Sequence, residues 1–165
     1  MILAPAVQAK SIKIAMANNE RFKLIPSVYL FLIKNDKILL LRRFNTGFED
    51  GNYGLPAGHA EEKELFREAL KREVQEETGI TLDIDKLHLV HTMHRCCGDH
   101  ERADFFFIID EWSGEAKNME PYKCDDIQWF PLSNLPENTV DYMAHAIKCW
   151  QKQIPYSEFG WDKYK

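Results

Sequence analysis

The stretch from Gly58 to Ile80, GHAEEKELFREALKREVQEETGI, constrains the fold of this chain more than any other. Between Lys63 and Thr78 there is no proline or glycine, and Glu, Lys, Arg, Leu and Ala dominate, so the spacing predicts a helix that stops at Gly79. At about 100° per residue, Phe66, Ala69 and Leu70 share one apolar stripe, with Leu65 and Val74 at its edges. That stripe needs a core. One turn further along the same side come Glu73, Glu76 and Glu77, at i, i+3 and i+4, so apolar packing gives way to neighbouring carboxylates. A merely solvated acidic face is the plain alternative, but it belongs opposite the stripe, where Glu64, Arg67, Glu68, Lys71 and Gln75 already sit. Crowded, part-buried carboxylates repel one another and need a positive partner. A hard divalent cation such as Mg2+, bound through carboxylate oxygens and retained waters and shared with substrate phosphates, meets that need.

The 165 residues suit one domain with a substantial core, and 45% hydrophobic with 28% charged residues is ordinary for a globular protein. No apolar run reaches the roughly 18 residues that span a bilayer, so no membrane association is expected. The N-terminal MILAPAVQAK lacks a basic first region and has a short apolar part, unlike an export signal. Cys96, Cys97, Cys124 and Cys149 have no metal-ligand spacing and read as reduced thiols of a cytoplasmic protein. A net charge of −5 argues against a nucleic-acid polymer as partner.

After a mixed leader, residues 1–21, the segments SVYLFLI and KILLLRR read as a hairpin across the turn Lys34 to Lys37. FNTGFEDGNYG is dense in Gly, Asn and Asp and predicts a loop leading into LPAGH. KLHLVHTMHR and RADFFFIIDEW predict two more strands separated by CCGDHE, and DDIQWF a further short one. From Asn138 to Gln153, Val140, Met143, Ala144, Ile147 and Trp150 recur at helical spacing as a packed stripe. Strands and helices in this order predict an α/β (α+β) domain, a mixed sheet covered by helices on both faces. Neither a dinucleotide-binding nor a P-loop glycine pattern is present.

Gly58, then Glu64 after five residues, then after seven more Arg72-Glu73-Val74-Gln75-Glu76-Glu77-Thr78-Gly79-Ile80, resembles the Nudix box at every defined position. The resemblance implies a Nudix-type α/β/α sandwich filling residues 22–155, with 156–165 as an aromatic tail, and hydrolysis of a nucleoside diphosphate linked to another group. It implies Mg2+, with Mn2+ as a substitute, held by Glu73, Glu76, Glu77 and the Ala57 carbonyl. It also implies that Arg72 and Glu64 hold the helix and its preceding loop together, a plain surface ion pair being the alternative. Gly58 would permit close backbone approach, and Gly79 a helix stop.

For the base that activates water, the resemblance offers Glu120, eight residues after Trp112, as the preferred residue, with Glu101 ahead of Asp104, or Glu77 itself, as alternatives. Arg43 stands where a phosphate-binding arginine occurs in mutator-type members, and Arg42 beside it is the other candidate; strand parity decides between them. Tyr53 is a candidate aromatic near the base, with core packing as the alternative. Gly54 replaces the Asn or Gln frequent in members that cleanse oxidised purines. His91 and His94, at a strand end, are either phosphate or metal contacts or satisfied edge residues. Of Trp129 and Phe130, one is expected in the core and one facing the pocket. The tail YSEFGW covers the pocket, a dimer partner or the core, and pairing of two chains stays open. The expectation is an Mg2+-dependent hydrolase that attacks a nucleoside tri- or diphosphate with water, releasing nucleoside monophosphate. The enzymatic alternatives are a sugar-nucleotide or dinucleoside-polyphosphate hydrolase, and a nucleotide sensor is the non-enzymatic one.

Overall fold

A computed structural model of the chain describes residues 22–162. The 1–21 leader, with its signal-like start, and the last three residues of the tail lie outside the described residues. Strands β1 (Ile25–Lys34) and β2 (Lys37–Arg43) form the expected hairpin. Asn35 and Asp36, at φ 50° and 57°, supply the two left-handed residues that a tight two-residue turn demands.

The pair stays together only at the turn, at Ile33↔Ile38 and Lys34↔Lys37. Beyond it the two strands diverge and take different partners. β1 pairs with β4 (Ala57–His59) and, in parallel, with β6 (Glu101–Ile109). β2 pairs with the two-residue β3 (Tyr53–Gly54) and with β7 (Cys124–Pro131). β5 (His88–Cys96) pairs antiparallel with β6, which gives a mixed sheet. The segment read as an aromatic tail is an edge strand, β8 (Tyr156–Phe159), parallel to β5. Gly160 ends it at φ 80°, and a Cβ there would stand 2.3 Å from the Cys96 carbonyl oxygen.

Both faces of the sheet are covered. Val28, Leu30, Leu32, Leu39 and Leu41 pack with Ala69, Leu70 and Val74 of α1 (Phe66–Thr78). The alternate residues Tyr29, Phe31, Ile38 and Leu40 pack with Met143, Ala146 and Ile147 of α2 (Asp141–Gln151). This is the α/β/α sandwich, and it explains why β1 is apolar at successive positions instead of alternating. Each fully buried Leu or Phe in it contributes about 1.5–3 kcal/mol relative to exposure.

Helix α1 begins three residues later than its composition predicts. Lys63 takes φ 67°, and the Glu64 carboxylate accepts the Glu61 N–H at 2.9 Å, so Glu61 to Glu64 is a turn stitched by a side chain. Its end is as expected: Gly79, at φ 72°, donates to the Gln75 carbonyl at 3.0 Å. α2 also starts late, because Thr139 closes a turn back onto Pro136. Its buried face carries Tyr142, Met143, Ala146, Ile147 and Cys149, with Ala144 only partly covered.

Candidate active site

Where β1 and β2 part, a cavity of about 630 Å3 opens, bounded by Tyr29 of β1, Leu41 to Arg43 of β2, Ala57 to His59 of β4 and the C-terminal half of α1. Glu73 and Glu77 project from α1 into its wall, and Glu120 joins them from the loop ahead of β7. Glu77 Oε2 accepts the Ala57 N–H at 3.0 Å. Burial pushes its carboxyl up to about 8, with further push from Glu73 and Glu120 against that hydrogen bond. Glu73 is also raised, by burial first, with the Arg72 guanidinium opposing and Glu76 and Glu120 adding repulsion. Glu120 is held by the Lys123 ammonium at 2.7 Å, which raises the lysine's pKa.

Arg72 organises this wall without lining it. Its Nε and Nη2 grip the two Glu64 oxygens at 2.9 and 3.0 Å, its Nη1 holds Glu73 Oε1 at 2.8 Å, and Nη2 reaches the His59 carbonyl at 3.2 Å. The helix is thereby tied to the loop ahead of it, and one carboxylate is aimed. Gly58 makes room for that carboxylate: a Cβ there would fall 2.0 Å from Glu73 Cδ.

The remaining expected residues divide. Arg42 and Arg43 both line the cavity, because the β2–β7 register shifts between them and a bulge removes the strict alternation. Arg42 Nε donates to Asp125 at 2.7 Å, and Arg43 holds the Phe48 carbonyl at 2.7 Å and Thr46 Oγ1 at 3.1 Å. Glu76 is outside the wall, its side chain 55% exposed and 3.7 Å from Arg72. Tyr53 is buried in the core, its ring edge-on to Phe130 and its hydroxyl donating to Asp126; the adjacent Gly54 is what lines the cavity.

Neither Trp129 nor Phe130 faces the pocket: Trp129 packs beside Trp112, and Phe130 against Tyr53. His91 is a satisfied sheet residue between the Ile154 carbonyl and Ser157 Oγ, both at 2.9 Å, and burial lowers its pKa. His94 pairs with Glu101 at 2.6 Å and lies against Trp161. Glu101 and Asp104 do not line the cavity, whereas the other two base candidates, Glu120 and Glu77, both do.

Sequence reasoning did not find Arg95, Arg102, His59, His100, Phe48 and Tyr142, all of which line the cavity. A signal existed for two of them. Counting back from the turn CCGDHE places Arg95 opposite Arg102, and like charges facing across strands need an explanation.

Among the described residues, no three His, Cys, Asp or Glu side chains already stand together as a metal cage. The donor chemistry nonetheless fits a hard divalent cation. Two part-buried carboxylates, one of them with a single backbone donor, crowd a water-accessible wall, and Mg2+ requires only one or two carboxylates beside waters and phosphates. Glu76, between them on the same helix, is half-exposed and stands 3.7 Å from the Arg72 guanidinium that also holds Glu73.

Comparison with known protein families matches the NUDIX domain over residues 23–148. The chain belongs to the Nudix family. It is 34% identical over 109 residues to an ADP-ribose pyrophosphatase of Methanocaldococcus jannaschii, covering 66% of this chain and 63% of that protein. It is 30% identical over 114 residues to an NAD-capped RNA hydrolase, NudC, of Pseudomonas entomophila, covering 69% and 39%. The chain thus spans less than two thirds of the length of either relative. The second name also stands beside the charge-based expectation against nucleic-acid partners. Among solved structures, a MutT NUDIX hydrolase from Burkholderia pseudomallei superposes with a TM-score of 0.70 at 24% identity, covering 76% of this chain and 97% of that one, a likeness of fold. Among the described residues, no helix is long and apolar enough to cross a membrane.

Proposed function

We propose that this Nudix protein hydrolyses a phosphoanhydride bond of a nucleoside tri- or diphosphate with the help of Mg2+, releasing nucleoside monophosphate and phosphate or pyrophosphate. The observation that carries this reading is the convergence of Glu73, Glu77 and Glu120 on one wall of a cavity large enough for a nucleotide. When bound, the divalent ion supplies charge neutralisation for the phosphates and lowers the pKa of water. Glu73 and Glu77, joined by Glu76, would hold it, with the Ala57 carbonyl as the backbone ligand the family pattern implies. Mn2+ is the expected substitute.

The other steps belong to side chains. Arg72 aims Glu73 and ties the helix to the end of β4, which carries Gly58 and His59. Glu120, paired with the Lys123 ammonium 2.7 Å away, accepts the proton of the attacking water. Arg42 and Arg43 offset phosphate charge at the β2 end of the cavity. A second reading, hydrolysis of a diphosphate that links a nucleoside to a sugar, is favoured by the relative named an ADP-ribose pyrophosphatase.

A panel of nucleoside tri- and diphosphates and ADP-ribose, incubated with Mg2+ and resolved by chromatography, tests this reading. Nucleoside monophosphate should appear with the wild type and be nearly lost with Glu76→Gln or Glu77→Gln. Nucleotide binding without any turnover across the panel would refute the enzyme reading in favour of a sensor.

A further inference from the structure

Strands β5 and β6 set Arg95 directly opposite Arg102, and both line the cavity. Two guanidinium groups facing one another on one sheet face repel unless anions separate them. A single carboxylate serves the pair, and Arg95 takes it. Asp104, wholly buried, accepts Arg95 Nε at 2.5 Å and Nη2 at 3.3 Å. Arg95 also stacks 3.7 Å from the centre of the Tyr142 ring and donates to the Tyr29 hydroxyl at 3.2 Å. Its charge is matched.

Arg102 is different. Among the described residues no carboxylate contacts its guanidinium. Nε donates to His100 Nε2 at 3.1 Å and Nη1 to Ser27 Oγ at 3.2 Å, with His59 Nε2 also in contact. The nearby Asp99 is bonded to His100 Nδ1, at 2.6 Å. A fixed cation therefore stands on the cavity wall, held in place by a hydroxyl and two imidazoles, with no carboxylate partner among the described residues.

We propose that Arg102, with Ser27, His59 and His100, is a second anion subsite that takes the terminal phosphoryl group of the substrate. Its position suits that task. His59 follows Gly58 directly, and its carbonyl is tied to the arginine that aims Glu73, so the subsite adjoins the carboxylate wall. Arg42 and Arg43 sit on β2, on the other side of β1 from Arg102 on β6. A polyphosphate held at the carboxylates has cations on both sides.

The inference rests on the phosphoanhydride reading and selects within it. Nucleoside tri- and diphosphates end in a free phosphoryl group. ADP-ribose has both phosphates esterified and offers none, so chains with a terminal phosphoryl are the preferred class.

The test has a binding arm and a kinetic arm. Inorganic tripolyphosphate is titrated calorimetrically into wild type and Arg102→Gln in EDTA, without any turnover. One lost charge-assisted phosphate contact should weaken binding about tenfold or more, with Arg102→Lys recovering part of the loss. In the kinetic arm, the ratio of kcat/KM for a nucleoside triphosphate to that for ADP-ribose should fall about tenfold in Arg102→Gln. Circular dichroism melts check that the variant folds; should it not, His100→Gln replaces it and should weaken tripolyphosphate binding measurably. Equal tripolyphosphate affinity in wild type and variant, or no binding by wild type at millimolar concentration, overturns the subsite. Weakened tripolyphosphate binding with an unchanged kinetic ratio overturns its assignment to the substrate's end. A wild type that binds tripolyphosphate through Arg102 yet hydrolyses nothing refutes the catalytic reading and leaves the anion site standing.

Discussion

Gly58→Ala is the substitution whose consequence the geometry defines most sharply. Gly58 lies outside the left-handed region, so alanine fits its backbone, and the smaller unfolded-state entropy even favours the variant slightly. The new methyl carbon would stand 2.0 Å from Glu73 Cδ and 2.2 Å from its Cγ, where ordinary carbon contacts need about 3.5–4.0 Å. The carboxylate must therefore swing by roughly 1.5 Å or more. That movement breaks the 2.8 Å bond from Arg72 Nη1, one between charged, part-buried groups, worth about 1.5–3 kcal/mol. If that bond is what holds Glu73 in its productive position, kcat/KM falls by about 10–100-fold. The assay is Mg2+-dependent turnover beside a thermal melt, with Glu73→Gln and the double variant completing a cycle. The double variant should be no worse than Glu73→Gln alone, because the methyl acts through the side chain already altered. Wild-type turnover in Gly58→Ala, or additive losses in the double variant, would refute the reasoning.

Glu120→Gln should lower kcat by about 100-fold or more while Glu101→Gln stays near wild type, and the reverse order would transfer the base to Glu101. Asp104→Asn leaves the buried Arg95 without its carboxylate, which costs about 3–5 kcal/mol and should lower Tm by roughly 6–20 °C; a melt within a degree or two of wild type would contradict the pairing. Because the Glu77 carboxyl is raised to about 8 from its ordinary 4.5, the folded metal-free protein retains a proton that the unfolded chain releases between those values. Stability in EDTA should thus fall as pH rises from 4.5 to 8, and Glu77→Gln should flatten that slope in denaturant titrations. A slope unchanged by the substitution would remove Glu77 as its source.

What the sequence disclosed follows from how local each relation is. Helical spacing alone placed Glu73, Glu76 and Glu77 on the side that continues the Phe66, Ala69 and Leu70 stripe; Glu73 and Glu77 reach the cavity, and Glu76 stays exposed beside it. The family pattern paired Arg72 with Glu64, and the fold joins them by two hydrogen bonds. Relations between strands were harder. A bulge brings Arg42 and Arg43 to the same cavity, which strict alternation forbids. Trp129 and Phe130 do alternate, but β7 is covered on both sides there, so each finds a core. Arg102 and Ser27 meet only because β1 and β6 run parallel in one register, a long-range fact that no local pattern encodes. The tail YSEFGW, expected to cover the pocket, a dimer partner or the core, becomes a strand because the edge of β5 pairs with it.

The central claim is that α1 carboxylates share a divalent ion with the phosphates of a nucleotide. A crystal grown with Mg2+ and a non-hydrolysable nucleoside triphosphate analogue tests it most directly. The account predicts an ion within about 2.0–2.1 Å of oxygens from Glu73 and Glu77, with Glu76 turned inward and the analogue's phosphate completing the shell. An analogue bound in the cavity while those carboxylates hold no ion and face solvent would contradict it.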